Sequence, residues 1–328
     1  LLIGTLGNLA FVIVVFRVKA MQTITNAYLV NIAIADLTFV VYTCTIYFIS
    51  YTQTPVRNDV LFTRGIGCAA AFGMSYFGYF ASLLLLTIVA VERYFAICRP
   101  FQHMVMAGKK HTIRMIAVCW VTGLVLVALV MPRYGKVDEL CVIWPEDEAF
   151  VNFPKMIQFC VTIHHDVFVL GEVVLTGPFC LLMPVHIYMY GSIIFALSNR
   201  PVASAEEGPS ASSQNDSTTR ARNQVARLLI INGTVFFLCQ SPYRVVSLHL
   251  ILEHVTGEGF LGTVPYGIAI LMSRCLILLN SCVNPFIYLA TSSFYRQAFL
   301  AVISCRQMPQ RNKGATSMRL SSTQTVVQ

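Results

Sequence analysis

Charge is what this chain has least of. Only 12% of its 328 residues are Asp, Glu, Lys or Arg, about half the share in a soluble domain. In contrast, 56% are apolar and the mean hydropathy is +0.67. That shortage argues against a soluble α/β enzyme and against a disordered regulator. The 11 cysteines are scattered through apolar runs without a repeated CxxC, so neither a zinc site nor a knottin-like framework is indicated. No pair of related halves with broken helices suggests a transporter, and no filter motif suggests a channel. No segment reads as a catalytic domain, and no enzymatic activity is expected.

What is present is a series of long apolar runs. Seven are drawn, at 1–16, 25–50, 68–97, 112–131, about 170–197, 224–252 and 265–290. All but the first are long enough for a span of about 20 residues. They are too long for barrel strands and are broken by Pro and Gly, so helices are expected. The first run is short and starts without Met. It is read as the end of a first helix whose beginning, with an N-terminal tail, is missing. The fold class expected is an all-α membrane protein, a seven-transmembrane helix bundle over 1–290. Polar residues at about 198–223 form an inner loop. A disordered tail spans 305–328.

The charges that exist are sorted. With the connection after the first span placed inside, 16 of the 23 bases lie on that side, among them Arg17, Lys19, Arg99, Lys109, Lys110 and Arg296. The positive-inside rule then gives a cytoplasmic C-terminus, and the net +8 needs no nucleic acid. Acids gather on the other side, at Asp138, Glu139, Asp147, Glu172 and Glu253 for example. That face is either a plain solvated surface or an attractor for a cationic ligand.

Polar groups within the apolar runs are the candidates for function. Asp36 in the second span is costly at membrane depth unless partnered or hydrated. Asn8, Ser82, Asn280 and Asn284 are placed to share a cavity with it, either around a hydrated sodium ion or as a simple hydrogen-bonded network. Glu92, Arg93 and Tyr94 end the third span; the adjacent charges form a local pair breakable by a docking protein, or a snorkelling anchor. Pro242 and Pro285 lie within the sixth and seventh spans, where each favours a hinge. Cys68 and Cys141 face an oxidising space and suit a bridge, with Cys160 as the competing partner.

In order and spacing these residues resemble the rhodopsin-like, or class A, family of G-protein-coupled receptors. The resemblance covers nearly the whole chain. It rests on Asn8, Asp36, Cys68, Glu92-Arg93-Tyr94, Trp120, Pro184, Pro242, the NPFIY run from Asn284 to Tyr288, and Phe294–Phe299 as an amphipathic segment on the inner leaflet. It implies a short amphipathic eighth helix at 291–304, a Cys68–Cys141 disulfide, palmitoylation of Cys305, and an outside ligand bound among the third, fifth, sixth and seventh spans. It also implies an outward swing of the sixth span that admits a heterotrimeric G protein, engaged by Arg93 and helped by Tyr288. Receptor kinase and arrestin would act on tail residues such as Ser317 and Ser321. Plasma-membrane location follows, with membrane lipids as partners and no nucleic acid.

Two positions depart from the family pattern: Gln240 stands where a tryptophan is expected, and Ser192 where a tyrosine is expected. Ser75 occupies the place of the amine-receptor aspartate, and Leu278 that of the opsin lysine, so neither a biogenic amine nor retinal is expected. Tyr243 and Arg244, with Arg274, resemble the neuropeptide receptors. The ligand-binding set expected is therefore Ser75, Tyr243, Arg244 and Arg274, gripping a peptide. The alternatives are a small carboxylate or lipid ligand, a constitutively active receptor, and a structural role for either arginine beside Glu172 or Glu253.

Overall fold

The computed structural model describes residues 1–53, 55–56, 65–106, 108–199 and 209–304. Its helices are α1 Leu2–Arg17, α2 Ile24–Gln53, α3 Gly65–Cys98, α4 Pro100–Met106, α5 Lys109–Val130, α6 His165–Ser198, α7 Pro209–Thr256, α8 Thr263–Thr291 and α9 Ser293–Ile303. Among the described residues, six of these are long and apolar enough to cross a bilayer, and α1, with 16 residues, is the seventh apolar helix. Large apolar side chains such as Phe16, Ile113, Leu181 and Phe195 stay exposed. In water such a surface would drive association, whereas in lipid it is the natural exterior.

The bundle packs around α3, which carries the largest set of buried residues and touches α2, α5, α6 and α7. Close approach of α2 and α3 depends on Gly78, where a Cβ would stand 2.8 Å from both the Ala35 carbonyl and Phe39 Cβ. Trp120 on α5 packs tilted against Phe77, ring centroids 5.2 Å apart, and donates from Nε1 to Asn31 Oδ1 on α2 at 2.9 Å. Asn8 ties α1 to α8 by donating to the Ser281 carbonyl at 2.8 Å.

The all-helical bundle expected from the apolar runs is what forms, with one small addition, and two expectations change. Strands β1 Lys136–Cys141 and β2 Met156–Val161 form an antiparallel hairpin beside the N-terminal end of α3, and β2 begins just past Pro154, where that residue no longer removes a ladder bond. The disulfide is Cys68–Cys160, not Cys68–Cys141, with Cα atoms 5.8 Å apart. In the hairpin register Cys160 faces Val137 at the end next to the bundle, while Cys141 faces Met156 at the far end and stays free and exposed. Finally, α7 begins at Pro209, so much of the expected loop 198–223 is helical backbone continuing the sixth span.

At the other end, α9 lies across the bundle. It buries Tyr295 and Ala298 and leaves Leu300 and Ile303 exposed, the pattern of a helix seated in a membrane surface. The Tyr295 hydroxyl donates to Asn26 Oδ1 at 2.5 Å, and burial pushes its phenol above the ordinary value, with Arg93 opposing. Arg296 donates from Nη1 to the Leu289 and Ala290 carbonyls, satisfying the open end of α8. Cys305 and the tail serines lie outside the described residues.

Candidate functional site

Three layers of polar groups line the bundle axis. In the outer layer Arg133, just past α5, pairs with Glu172 on α6, and the carboxylate is fully buried. The Arg133 guanidinium also lies over the Phe168 ring at 4.3 Å. Beside it Tyr76 and Tyr134 share a hydroxyl hydrogen bond of 2.6 Å, and Tyr134 stacks on Phe72 at 4.3 Å. The pair meets through one oxygen, and Glu172 Oε2 is buried without a hydrogen bond among the described residues, so the Arg133 charge is what keeps this carboxylate tolerable in the core.

Arg244 on α7 is enclosed one level deeper. Its Nη1 donates to the Leu175 carbonyl at 2.8 Å, its Nη2 to Gln240 Oε1 at 3.3 Å, and its guanidinium lies 4.5 Å from the Tyr79 ring centroid. Tyr79 donates to the same carbonyl at 3.3 Å. A carbonyl oxygen has two lone pairs, and Pro178 loosens this turn of α6 by removing one ladder bond. Gln240 therefore has a structural use: one turn below Arg244, its amide oxygen partners a cation that an indole could meet only through its face.

Arg274 differs. It is half-buried on α8, and no hydrogen bond or ion pair holds it among the described residues. It stands three and seven residues before Ile277 and Ser281, which line the bundle interior, so it shares their face two turns nearer the outer mouth. Ser75 is engaged elsewhere, its Oγ 2.9 Å from Thr43 Oγ1 on α2.

The middle layer centres on Asp36. Ser82 donates to its Oδ1 at 3.2 Å and Asn284 to its Oδ2 at 2.5 Å. An internal cavity of about 10 Å³, room for about one water-sized occupant, is lined by Asp36, Ser82, Gln240, Asn280 and Ser281. Asn280 Oδ1 is buried without a hydrogen bond. A carboxylate, a hydroxyl and an unsatisfied amide oxygen around one small void suit a small hard cation such as sodium.

In the inner layer Arg93 Nη2 lies 2.8 Å from Glu92 Oε1, with His103 Nε2 at 3.9 Å from the same oxygen. Tyr288 is buried against Phe11 and Tyr295, ring centroids 4.7 and 5.8 Å away. Both α7 and α8 run continuously through Pro242 and Pro285. His186 on α6 meets Thr87 Oγ1 of α3 at 3.0 Å. Tyr190, one turn on, packs with Ala90, Ile97 and Ala226; its hydroxyl lies where a side chain at Gly233 would stand.

A family model for the 7 transmembrane receptor (rhodopsin family) matches residues 7–288. The chain belongs to that family. Among its relatives, the human "Thyrotropin-releasing hormone receptor" is 25% identical, over 97% of this chain and 79% of its own length. "Galanin receptor 2a" of Danio rerio is 26% identical, over 93% and 76% respectively. "Rhodopsin" of Myripristis violacea is 26% identical, over 92% and 78%. As a family member this is a multi-pass membrane receptor that transduces a signal.

The receptor's geometry brings together Asp36, Ser82, Asn280 and Asn284, and pairs Glu92 with Arg93. It separates the expected ligand set: Tyr243 and Arg244 join one aromatic cluster, rings and guanidinium 5.1 Å apart, Arg274 stands alone, and Ser75 faces α2. Three features escaped the sequence reading. The acid Glu172 belongs to Arg133 rather than to Arg244 or Arg274. His186 bonds Thr87. Tyr190, two residues before the departing position Ser192, packs with Ala90, Ile97 and Ala226. The spacing of His186, Tyr190 and Ile193, which puts all three on one helical face, was the available signal.

Proposed function

We propose that this receptor binds an extracellular peptide in its outer layer and converts that binding into heterotrimeric G-protein activation. The carrying observation is Arg274: a half-buried guanidinium on the face of α8 that lines the interior, near Tyr266 but held by no hydrogen bond or ion pair among the described residues. It offers five donors in a planar fork suited to a carbonyl or carboxylate. Relatives named as receptors for thyrotropin-releasing hormone and galanin support a peptide, and the hairpin tied to α3 by Cys68–Cys160 supplies a wall for one.

Arg244 acts as a strut rather than a clasp. It joins α3, α6 and α7, so a ligand that displaces Tyr79 or Tyr243 alters the packing on which Pro242 hinges. The active packing needs only to bind ligand more tightly than the resting one. At the inner end, opening frees Arg93 from Glu92 to meet the G protein, and Tyr288 leaves its place against Phe11. Sodium around Asp36 favours the resting packing. No bond is made or broken, so the activity is not enzymatic. The inner face, with the C-terminus, lies in the cytoplasm of the plasma membrane, where receptor kinase and arrestin meet the tail. The second reading is ligand-independent signalling, favoured by Arg244 already filling the core beside Gln240.

The test is a peptide and metabolite screen on cells expressing the receptor, read as calcium and cyclic AMP. A peptide hit whose potency falls at least tenfold in Arg274→Ala supports the reading. Hits confined to small carboxylates or lipids, or a signal independent of any addition, overturn it.

A further inference from the structure

A groove of about 610 Å³ runs between the inner ends of α3 and α6 on the outside of the bundle, lined among others by Tyr94, Arg99, Tyr188, Gly191, Ser192 and Phe195. Its volume is within the range of ligand sites, about 300–1,000 Å³. The α6 side extends from Ile187 to Ala196. At 1.5 Å per residue that is about 14 Å, roughly half of the bilayer's hydrocarbon thickness and so the depth of one leaflet. It opens where α3 ends at Cys98 and α6 ends at Ser198.

We propose that this groove binds an anionic phospholipid, its acyl chain along α6 and its headgroup at Arg99. Four observations carry this. Tyr188 and Phe195 are 64% and 69% exposed, so the wall faces hydrocarbon and not a neighbouring helix. The depression exists because position 191 has no side chain: a Cβ built on Gly191 meets nothing within 4 Å. A glycine inside an apolar helix costs about 1 kcal/mol relative to alanine, and here no close backbone approach accounts for it. Arg99 is the sole charge in the lining and is exposed at the mouth; Tyr94, Tyr188 and Ser192 add three hydroxyls. The mouth lies on the side carrying most of the chain's bases, where anionic headgroups are attracted. A guanidinium at the headgroup level above an aromatic slot one leaflet deep matches a lipid better than a free anion, which would leave the slot unfilled.

The full chain is placed in phosphatidylcholine nanodiscs containing a photoactivatable phosphatidylserine or the same probe with a choline headgroup. Cross-linked peptides are then mapped. The serine probe is expected to label segments 94–99 and 187–196 several-fold more than the choline probe. Gly191→Trp, which fills the groove, lowers labelling there at least fivefold while labelling along α1 is unchanged. Arg99→Gln, at an exposed position, brings the serine probe down to the choline level. Equal labelling by both headgroups in the wild-type chain, or undiminished labelling in Gly191→Trp, overturns the proposal.

Discussion

The two arginines that look alike in the sequence should behave differently when removed. Arg274→Ala is expected to reduce agonist potency and leave the thermal midpoint near that of the wild type. Arg244→Ala leaves the Leu175 carbonyl and Gln240 without their cation, and should lower the midpoint and the amount of receptor at the cell surface. Thermal unfolding and agonist titration on the same preparations separate the two. Glu172→Ala strands the Arg133 charge in the core and is expected to cost about 3–5 kcal/mol. Arg133→Met with Glu172→Leu should recover most of that loss, because a packed apolar pair replaces a buried ionic one. A Glu172→Ala receptor as stable as the wild type would contradict the buried pair. These distinctions were not legible in the sequence. It shows which polar residues enter the apolar runs, but a partner across the bundle depends on helix rotation. Glu172 is 39 residues from Arg133 and reads as one more outer acid. Asp36, Asn280 and Asn284 were legible because polar groups at membrane depth have few alternatives to one another.

At the scale of the element, the hairpin and its bridge govern the outer mouth. Cys160→Ser should abolish high-affinity ligand binding, since it unties β2 from α3, whereas Cys141→Ser should leave binding unchanged; radioligand or fluorescent-ligand saturation reads both. Equal losses would return the bridge to Cys141. The seven runs were readable from apolar length alone, but the partner of Cys68 was not, because both candidates lie in the same outer segment and strand register decides between them. The inner end of α6 shows the same limit. Proline counting points to Ser192, whereas the tyrosine packed against α3 and α7 at this end is Tyr190, whose hydroxyl closes against Gly233. Tyr190→Phe keeps the ring and removes the hydroxyl, and Gly233→Ala intrudes on it. Both should alter basal signalling without changing ligand affinity by more than about twofold, a shift under 0.5 kcal/mol. The amphipathic α9 was expected from the family resemblance, and its anchoring through Tyr295 to Asn26 joins two segments 269 residues apart.

Across the whole molecule, polar groups sit at three levels of the bundle: Arg133–Glu172 and Arg244, then Asp36, then Glu92–Arg93. The proposed signalling asks these levels to exchange between two packings of the helices without chemistry. Sodium at Asp36 is expected to favour the resting packing, so raising sodium at constant ionic strength should weaken agonist binding in the wild-type receptor and have no effect in Asp36→Asn. The central claim is that the bundle activates a G protein through Arg93. The direct measurement is nucleotide exchange on a panel of purified heterotrimers by the receptor in nanodiscs, with and without the peptide library. The account predicts accelerated exchange on at least one heterotrimer and a fall of at least tenfold in Arg93→Ala. No acceleration on any heterotrimer under either condition, or full activity in Arg93→Ala, would contradict it.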